Sequence, residues 1–391
     1  MKILVNASTI VVGGGIQNTF SFVREALNDD AGHEWHLALS ESVASELQRE
    51  FPEAAAKARI FANATTPARN RAARCRLQAI EAEIQPDCVF TYNGPAYVKF
   101  RAPHLLGFAT PWVTHPSWLA YRTLSFPIEW IKTALASKYK AHWFRFADSW
   151  VTETNVSKSG LARRLGLDAN QVFVVSNSCG PYYFAQQCER PFPRPGGVLR
   201  LLCFAAAYPH KRLELLPLVA QKLDLLCPGL NFEFVVTLPE DSPTLLAIRK
   251  NAAALGVSSR IKNEGRIGVT DGPQLYQSCD VCFMPTVLET FSATYPEAMA
   301  MGLPIVTSDV QFASDVCQDA ALYFEANDAA AAAECIRRLI TDEATWRGLI
   351  AKGKTVLSGL PTARQKYDAY MRILYDMVDC QSTAQPAASR A

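Results

Sequence analysis

The sequence lacks any apolar run that approaches the roughly 18–20 residues of a membrane-spanning helix. It also has little net charge, because 39 Lys and Arg residues stand against 37 Asp and Glu residues, which leaves +2 at pH 7. This balance argues against bulk nucleic-acid binding. The opening segment, "MKILVNASTIVVGGG", has only a short apolar part before its glycines, so we interpret it as a buried strand and not as a signal peptide.

Motifs for metal or redox chemistry are equally scarce. The sequence has no Asp-x-Asp motif, and Cys279 and Cys282 form its single C-x-x-C. Alternation along a predicted strand does not aim these two sulfurs in the same direction, and no second C-x-x-C completes a zinc site. The 11 cysteines are scattered through apolar runs, so we predict reduced thiols in the core, with no bound metal and no cofactor.

Strand-like apolar runs alternate with helical stretches along nearly the whole chain, which is typical of an α/β fold with mostly parallel sheets. The predicted strands are 2–5, 34–40, 88–92, 104–109, 149–154, 172–177, 199–207, 232–238, 280–286 and 303–308. The Pro- and Gly-rich segment 178–197 interrupts the alternation and is the predicted linker. The sequence therefore predicts two Rossmann-like domains with a cleft between them.

Loops that follow strands are the first candidates for chemistry, because ligands of open parallel sheets bind at the carboxyl ends of the strands. Gly13, Gly14 and Gly15 form such a loop before a helix predicted from about residue 16, where backbone amides favour an anion. Position 18 is Asn, so the G-x-G-x-x-G of a dinucleotide site is incomplete. A tight turn without a ligand stays open as an alternative.

A second loop, "YPHKR" at 208–212, carries Lys211 and Arg212. Pro217 limits the following helix to a start only a few residues earlier, since proline breaks a helix interior. A cation beside a helix N-terminus is unfavourable unless an anion binds there, and a diphosphate meets that need. A solvated pair of surface charges is the alternative.

The third loop lies in "LETFSATYPEAMAMGLP", 288–304, where Glu289 and Glu297 stand eight residues apart. Carboxylates accept hydrogen bonds from sugar and ribose hydroxyls. Two carboxylates combined with Lys211 therefore suit a ligand that holds both phosphate and hydroxylated rings. A nucleotide sugar is such a ligand.

Here the chain resembles a known family. Residues 265–328 are similar to the signature region of the family 4 glycosyltransferases, which have the GT-B fold, and Glu289 and Glu297 match their E-x7-E pair. The "YPHK" at 208–211 resembles a loop of members that build bacterial surface polysaccharides, and "GGGIQ" at 13–17 resembles the glycine loop. The resemblance covers most of the chain.

The resemblance implies roles for individual residues. Glu289 would contact the transferred sugar, Glu297 the ribose, and Lys211 the leaving diphosphate. His115, in the loop after the strand predicted at 104–109, would line the site, so Glu289, Lys211 and His115 are the predicted catalytic residues. The predicted donor-binding residues are Gly14, Gly15, Lys211, Arg212, Arg266, Ile267, Phe291, Ser292, Ala293 and Glu297.

Two positions depart from the family pattern. Ser292 stands where the family commonly has glycine, and Ala206 stands where it often has an arginine, so one phosphate cation is missing.

The resemblance also implies the reaction. It indicates a retaining, metal-independent hexosyltransferase that moves a sugar from a UDP-, GDP- or dTDP-linked donor to a glycan or lipid-linked acceptor in O-antigen, capsule or exopolysaccharide synthesis. The implied location is the cytoplasm, at the inner face of the membrane. An NAD-dependent enzyme with two Rossmann domains and a non-catalytic GT-B partner subunit stay open as alternatives.

The implied domains follow the alternation of elements. We predict an acceptor-binding domain over 1–180, a nucleotide-sugar-binding domain over 197–360, a C-terminal helix over 361–380 that returns to the first domain, and a disordered tail over 381–391.

Two basic segments of the sequence can each be interpreted in two ways. Residues 117–150 contain five Lys and Arg residues, two acids and several aromatic residues, and residues 57–76 contain six Lys and Arg residues and no acid. Aromatic and basic residues together suit a membrane interface. A helix that packs on the first domain, with its lysines reaching out to solvent, explains them equally well.

Overall fold

A computed structural model of the protein describes residues 1–11, 14–184, 186, 190–193, 196–268 and 271–384. The chain forms two compact units. The first comprises Met1–His115, Ile131–Asn177 and the chain from Pro361, and the second comprises Pro116–Trp130 and Ser178–Leu360. None of the helices in the described ranges is both long enough and apolar enough to cross a membrane.

The first unit is built on a parallel sheet of seven strands in the order β3-β2-β1-β4-β5-β6-β7. Its strands are β1 Lys2–Ala7, β2 Glu34–Ser40, β3 Arg59–Asn63, β4 Cys88–Thr91, β5 His104–Phe108, β6 Ser149–Thr152 and β7 Val172–Val174. The second unit has a parallel sheet of six strands in the order β10-β9-β8-β11-β12-β13. They are β8 Leu199–Cys203, β9 Phe232–Val236, β10 Ile261–Asn263, β11 Val281–Met284, β12 Ile305–Ser308 and β13 Ala321–Phe324.

Helices connect the strands, as parallel pairing requires. They are α1 Gly14–Leu27, α2 Glu41–Glu50, α3 Pro52–Ala55, α4 Arg71–Ile84, α5 Pro111–Thr114, α6 Trp118–Tyr121, α7 Ile128–Phe144, α8 Asn155–Leu165, α9 Pro181–Phe184, α10 Leu216–Leu226, α11 Pro243–Ala254, α12 Gly272–Gln277, α13 Thr294–Ala300, α14 Gln311–Cys317, α15 Ala329–Thr341, α16 Glu343–Gly359 and α17 Ala363–Ala384.

The central strands are buried on both faces, which explains why they are continuous apolar runs. In β1, Ile3 and Val5 belong to one core cluster and Leu4 to the cluster on the other face, because side chains alternate along a strand. In the second unit, β8, β9 and β11 supply Leu201, Phe234 and Phe283 to the main core.

The C-terminal helix α17 belongs to the first unit. Phe22 of α1 contacts Tyr367 and Tyr370 of α17, with ring centroids 5.6 and 5.7 Å apart. The buried ammonium of Lys366 donates to Asn177 Oδ1 at 2.5 Å. The helix continues to Ala384, past the predicted end at residue 380, and the rest of the predicted tail lies outside the described residues.

The prediction of two Rossmann-like, parallel-sheet domains is confirmed, and every predicted strand is present. Three strands were not predicted, namely β3, β10 and β13, which lie at sheet edges. In each sheet the strand order reverses at one point, between β1 and β4 and between β8 and β11. Such a reversal leaves a crevice at the carboxyl ends of the strands.

Candidate functional site

The loops after β8 and β11 meet because these two strands are neighbours in the second sheet. The His210 carbonyl accepts hydrogen bonds from the Val287 amide at 2.9 Å and from the Thr286 hydroxyl at 3.2 Å. The Thr294 hydroxyl, at the start of α13, donates to the Phe204 carbonyl at 3.2 Å. These bonds fix the "YPHKR" loop against the loop that carries Glu289.

Lys211 and Glu289 form an ion pair at this point. Their side chains are only 12% and 16% exposed, and burial lowers the pKa of the Lys211 ammonium to about 8. Lys211 ends a 3-10 turn at Pro209–Lys211, and α10 begins at Leu216, as the position of Pro217 predicted. The pair gives the site a cation that can bind phosphate and a carboxylate that can accept from hydroxyls.

Two residues of these loops adopt left-handed backbone conformations that are uncommon outside glycine. Arg212 has φ 55° and Ser292 has φ 65°. The conformation of Ser292 gives a physical reason for the glycine that the family commonly has there, since glycine reaches positive φ without a steric cost.

Glu297 lies in the first turn of α13, where a carboxylate is favoured by the helix dipole. The Tyr276 hydroxyl donates to its Oε2 at 2.7 Å, and the Tyr183 hydroxyl also donates to its carboxylate. Burial raises the pKa of the Glu297 carboxyl to about 7, although both tyrosine hydrogen bonds act in the opposite direction. Glu297 is therefore poised to change its charge near neutral pH.

Tyr276 and Tyr183 were not identified from the sequence. Their rings meet edge to face with centroids 5.4 Å apart, and a Cβ on Gly272 would lie 2.5 Å from the Tyr183 hydroxyl. Gly272 therefore permits the close approach of Tyr183. The only signal in the sequence is that a tyrosine on a core-facing helix position needs a partner for its hydroxyl.

The other predicted residues of the second unit are more dispersed. The guanidinium of Arg212 pairs with Glu214, and its Nε donates to Asn327 Oδ1 at 2.6 Å, so Lys211 and not Arg212 faces Glu289. Arg266 is exposed and Ile267 half-buried, both on the loop after β10.

Three predicted donor-binding residues lie between the two glutamates, directly before α13. Phe291 buries its side chain, Ser292 is half-buried, and the exposed Ala293 is the N-cap of α13.

Three predicted residues belong to the first unit. Gly14 and Gly15 open α1, and a Cβ on Gly15 would lie 3.2 Å from the Ile10 side chain. Gly13 lies outside the described residues. His115 follows α5 and its Nδ1 lies 2.6 Å from the Thr114 hydroxyl.

Packing fixes the segment that carries His115. A Cβ on Gly160 would lie 2.4 Å from the Thr114 carbonyl oxygen, so α8 packs closely against the end of α5.

The C-x-x-C pair is buried in the second core. Cys279 precedes β11 and Cys282 lies within it, and both are free thiols with no exposure. Among the residues that the structure describes, no group of three His, Cys, Asp or Glu side chains is arranged to hold a metal ion.

Residues 200–342 match the family described as "Glycosyl transferases group 1". This segment contains Lys211, Glu289 and Glu297. Among curated proteins, none matches the sequence.

Solved structures share the fold over nearly the whole chain. A glycosyltransferase from Rickettsia africae is 17% identical with a TM-score of 0.70, over 96% of this chain and 98% of that one. HepE from Anabaena, in complex with UDP-glucose, is 14% identical with a TM-score of 0.70, over 96% and 100%. WaaG, a glycosyltransferase involved in lipopolysaccharide biosynthesis, is 13% identical with a TM-score of 0.68, over 94% and 98%. The predictions of a GT-B fold and of a glycosyltransferase are confirmed.

Proposed function

We propose that this glycosyltransferase binds a nucleotide sugar in its second unit and transfers the sugar, a hexose, to a glycan or lipid-linked acceptor. One observation carries the proposal. Where the strand order reverses, a nearly buried ammonium, Lys211, pairs with one carboxylate, Glu289, in the loops after two neighbouring strands, and the following helix holds a second carboxylate, Glu297. The complex of HepE with UDP-glucose supports this class of donor.

Each group has a proposed task. Lys211 binds the diphosphate and stabilises the negative charge that grows on it as the sugar leaves. Glu289 accepts hydrogen bonds from the sugar once the phosphate engages Lys211. Glu297, held by Tyr276, accepts from the ribose hydroxyls. The transfer is proposed to retain the anomeric configuration and to need no metal.

The remaining predicted residues keep proposed supporting roles. Arg212, Arg266, Ile267 and the backbone of 291–293 would complete the donor site. Gly14, Gly15 and His115 are proposed contributors from the first unit.

The proposed pathway is the synthesis of bacterial surface polysaccharide, such as O-antigen, capsule or exopolysaccharide. The part of WaaG in lipopolysaccharide biosynthesis supports this proposal. We propose a cytoplasmic location at the inner face of the membrane, where a lipid-linked acceptor is accessible.

A thermal-shift screen tests the donor class. UDP, GDP, dTDP and ADP, with their sugars, are compared with NAD on the wild-type protein and on Lys211→Ala. A nucleoside diphosphate at 100 times its Kd adds about 2.7 kcal/mol of stability. We expect one nucleotide to raise the melting temperature of the wild type and to act less on the variant. A shift with NAD alone would favour the NAD-dependent alternative.

Excess EDTA tests the absence of a metal. We expect turnover to survive, because Lys211 supplies the positive charge next to the diphosphate. Loss of turnover that manganese or magnesium restores would contradict a metal-independent transfer.

A further inference from the structure

Two buried tyrosines contact one carboxylate of the candidate site. The hydroxyl of Tyr276 donates to Glu297 Oε2 at 2.7 Å, and the hydroxyl of Tyr183 donates to the same carboxylate. Tyr276 has no exposure and Tyr183 is 5% exposed, whereas Glu297 is partly exposed. The two phenols, which we call the tyrosine pair, therefore reach the carboxylate from its buried side and leave its other side open to a ligand.

Packing fixes the tyrosine pair. The two rings meet edge to face with centroids 5.4 Å apart, and the ring of Phe204 lies edge to face against Tyr276 at 5.8 Å. On the other side, Gly272 leaves room for the Tyr183 hydroxyl, because a Cβ there would lie 2.5 Å from it. These contacts hold both phenols in one arrangement, and the carboxylate that accepts from them is held with them.

The number of hydrogen bonds that the carboxylate can accept indicates what the open side binds. An ionised carboxylate has about four acceptor positions on its two oxygens. The tyrosine pair takes two of them, so about two remain for a ligand. The neighbouring 2′- and 3′-hydroxyls of a ribose donate two hydrogen bonds. A 2′-deoxyribose donates only one and would leave an acceptor without a partner, which costs binding free energy.

We propose that Tyr183 and Tyr276 are positioning residues that orient Glu297 toward both ribose hydroxyls, and that this arrangement selects ribonucleotide donors over 2′-deoxyribonucleotide donors. The inference rests on the proposed function, because it assigns Glu297 to the donor. It narrows the donor to a sugar linked to a ribonucleoside diphosphate, such as UDP, GDP or ADP, and excludes dTDP-linked sugars. The tyrosines act through Glu297 and do not touch the donor themselves.

Calorimetric titrations with matched nucleotides test the proposal. UDP is compared with 2′-deoxy-UDP, and GDP and ADP with their own 2′-deoxy forms. The ratio of the two dissociation constants is the ribose selectivity. Tyr183→Phe, Tyr276→Phe and the double variant remove the hydroxyls and keep the rings. Tyr295→Phe is the matched control, because Tyr295 is a fully buried tyrosine of α13 whose hydroxyl lies 2.8 Å from that of Thr307.

We expect the wild type to bind the ribonucleotide roughly 10- to 100-fold more tightly than its 2′-deoxy form, because a hydrogen bond to a charged group is lost. Each tyrosine variant should lower this ratio at least about threefold, and the double variant should bring it close to one, since a carboxylate without fixed partners no longer matches both hydroxyls. Tyr295→Phe should melt at a lower temperature and keep the wild-type ratio.

A second pH separates orientation from protonation. The tyrosine hydrogen bonds also lower the pKa of Glu297, so their removal could protonate the carboxylate near pH 7. The ratios are therefore measured at pH 7 and at pH 9. The charge of Lys211 affects both nucleotides alike and cancels in the ratio. We expect the tyrosine variants to keep their lowered selectivity at pH 9.

The results separate this inference from the proposed function. A wild-type protein that binds no nucleoside diphosphate would contradict both. Equal affinity of the wild type for the ribonucleotide and its 2′-deoxy form, or a selectivity that the tyrosine variants retain, would overturn the inference alone. Recovery of the wild-type ratio at pH 9 would also overturn it, because the hydroxyls would then act on the proton of Glu297 and not on its orientation.

Discussion

Lys211 supplies the positive charge of the candidate site, because its ammonium pairs with Glu289. We expect Lys211→Ala to lower kcat by about 100- to 1000-fold, roughly 2.7–4 kcal/mol, since charge on the leaving diphosphate is greatest in the transition state. Donor affinity should change less. Steady-state kinetics and donor titration by calorimetry measure the two effects separately.

Lys222→Ala, at an exposed lysine of α10, is the matched control. Its kcat should fall much less than that of Lys211→Ala. A folded Lys211→Ala enzyme whose kcat is within threefold of the wild type would remove Lys211 from the mechanism.

Two groups of the site have shifted pKa values. These values predict the pH range in which the nucleoside diphosphate binds most tightly. Glu297 must lose its proton to accept from two ribose hydroxyls, and its raised pKa is about 7, so affinity should fall as the pH drops below 7. Lys211 must keep its proton to bind phosphate, and its lowered pKa is about 8, so affinity should fall above 8. Calorimetric titrations across this window should find the tightest binding between these values.

Variants test the assignment of the acid limb of this profile, which is the fall in affinity at low pH. Tyr276→Phe removes a hydrogen bond that lowers the pKa of Glu297, so the acid limb should move to higher pH, whereas Glu297→Gln should abolish it. Tyr182→Phe, at the exposed tyrosine beside Tyr183, is the control and should change nothing. An acid limb that is identical in Tyr276→Phe and wild type would show that Glu297 does not set it.

The charged residues proposed for the site are visible in the sequence, whereas the tyrosines that contact Glu297 are not. Lys211, Glu289 and Glu297 carry their chemistry in their own side chains and stand in loops or at a helix start. Tyr276 stands 21 positions from Glu297, and their contact exists only once α12 and α13 pack together. Such a contact has no local signature.

At the scale of elements, burial explains which strands were predictable. The missed strands lie at sheet edges, where β3 and β10 are mostly exposed or half-buried, and the apolar pattern is diluted. Central strands such as β1 and β11 are buried on both faces, so their sequences are continuously apolar.

The start of a helix was predictable where a proline ring restricts the backbone. Pro217 fixed the start of α10, because proline is accepted only in the first turn. Gly14 and Gly15 were expected in a loop but form the first turn of α1, where a Cβ on Gly15 would lie 3.2 Å from the Ile10 side chain.

The loop between β11 and α13 stores backbone strain at Ser292, whose φ is 65°. A left-handed conformation costs a non-glycine residue roughly 1–2 kcal/mol. We expect Ser292→Gly to raise the free energy of unfolding by up to about 1 kcal/mol, because glycine removes that cost but gains entropy in the unfolded chain. Urea denaturation measures the change.

Ser292→Ala is the control for this substitution, since alanine removes the hydroxyl and keeps the Cβ. It should not stabilise the protein. Equal stabilisation by alanine and glycine would mean that the hydroxyl, and not the backbone conformation, is the unfavourable feature.

At the scale of the molecule, the chain forms two compact units that do not follow a single division of the sequence. The first unit takes in α17, which follows the whole second unit in the sequence. Its aromatic contacts with α1 complete the core over β1, β2 and β4. A core that is completed by its last helix depends on that helix for its stability.

Leu374→Ala tests this dependence. Leu374 is fully buried in the core of the first unit, and a truncation of this kind costs about 2–5 kcal/mol through lost burial and a cavity. Because each unit has its own core, we expect faster hydrogen exchange in β1, β2 and β4 and unchanged exchange in β8, β9 and β11. Arg372→Ala, at an exposed position of the same helix, should leave both sets unchanged. If the strands of the second unit lose protection as strongly as those of the first, the two units unfold as one cooperative body, and the stability of the donor site then depends on α17 as well.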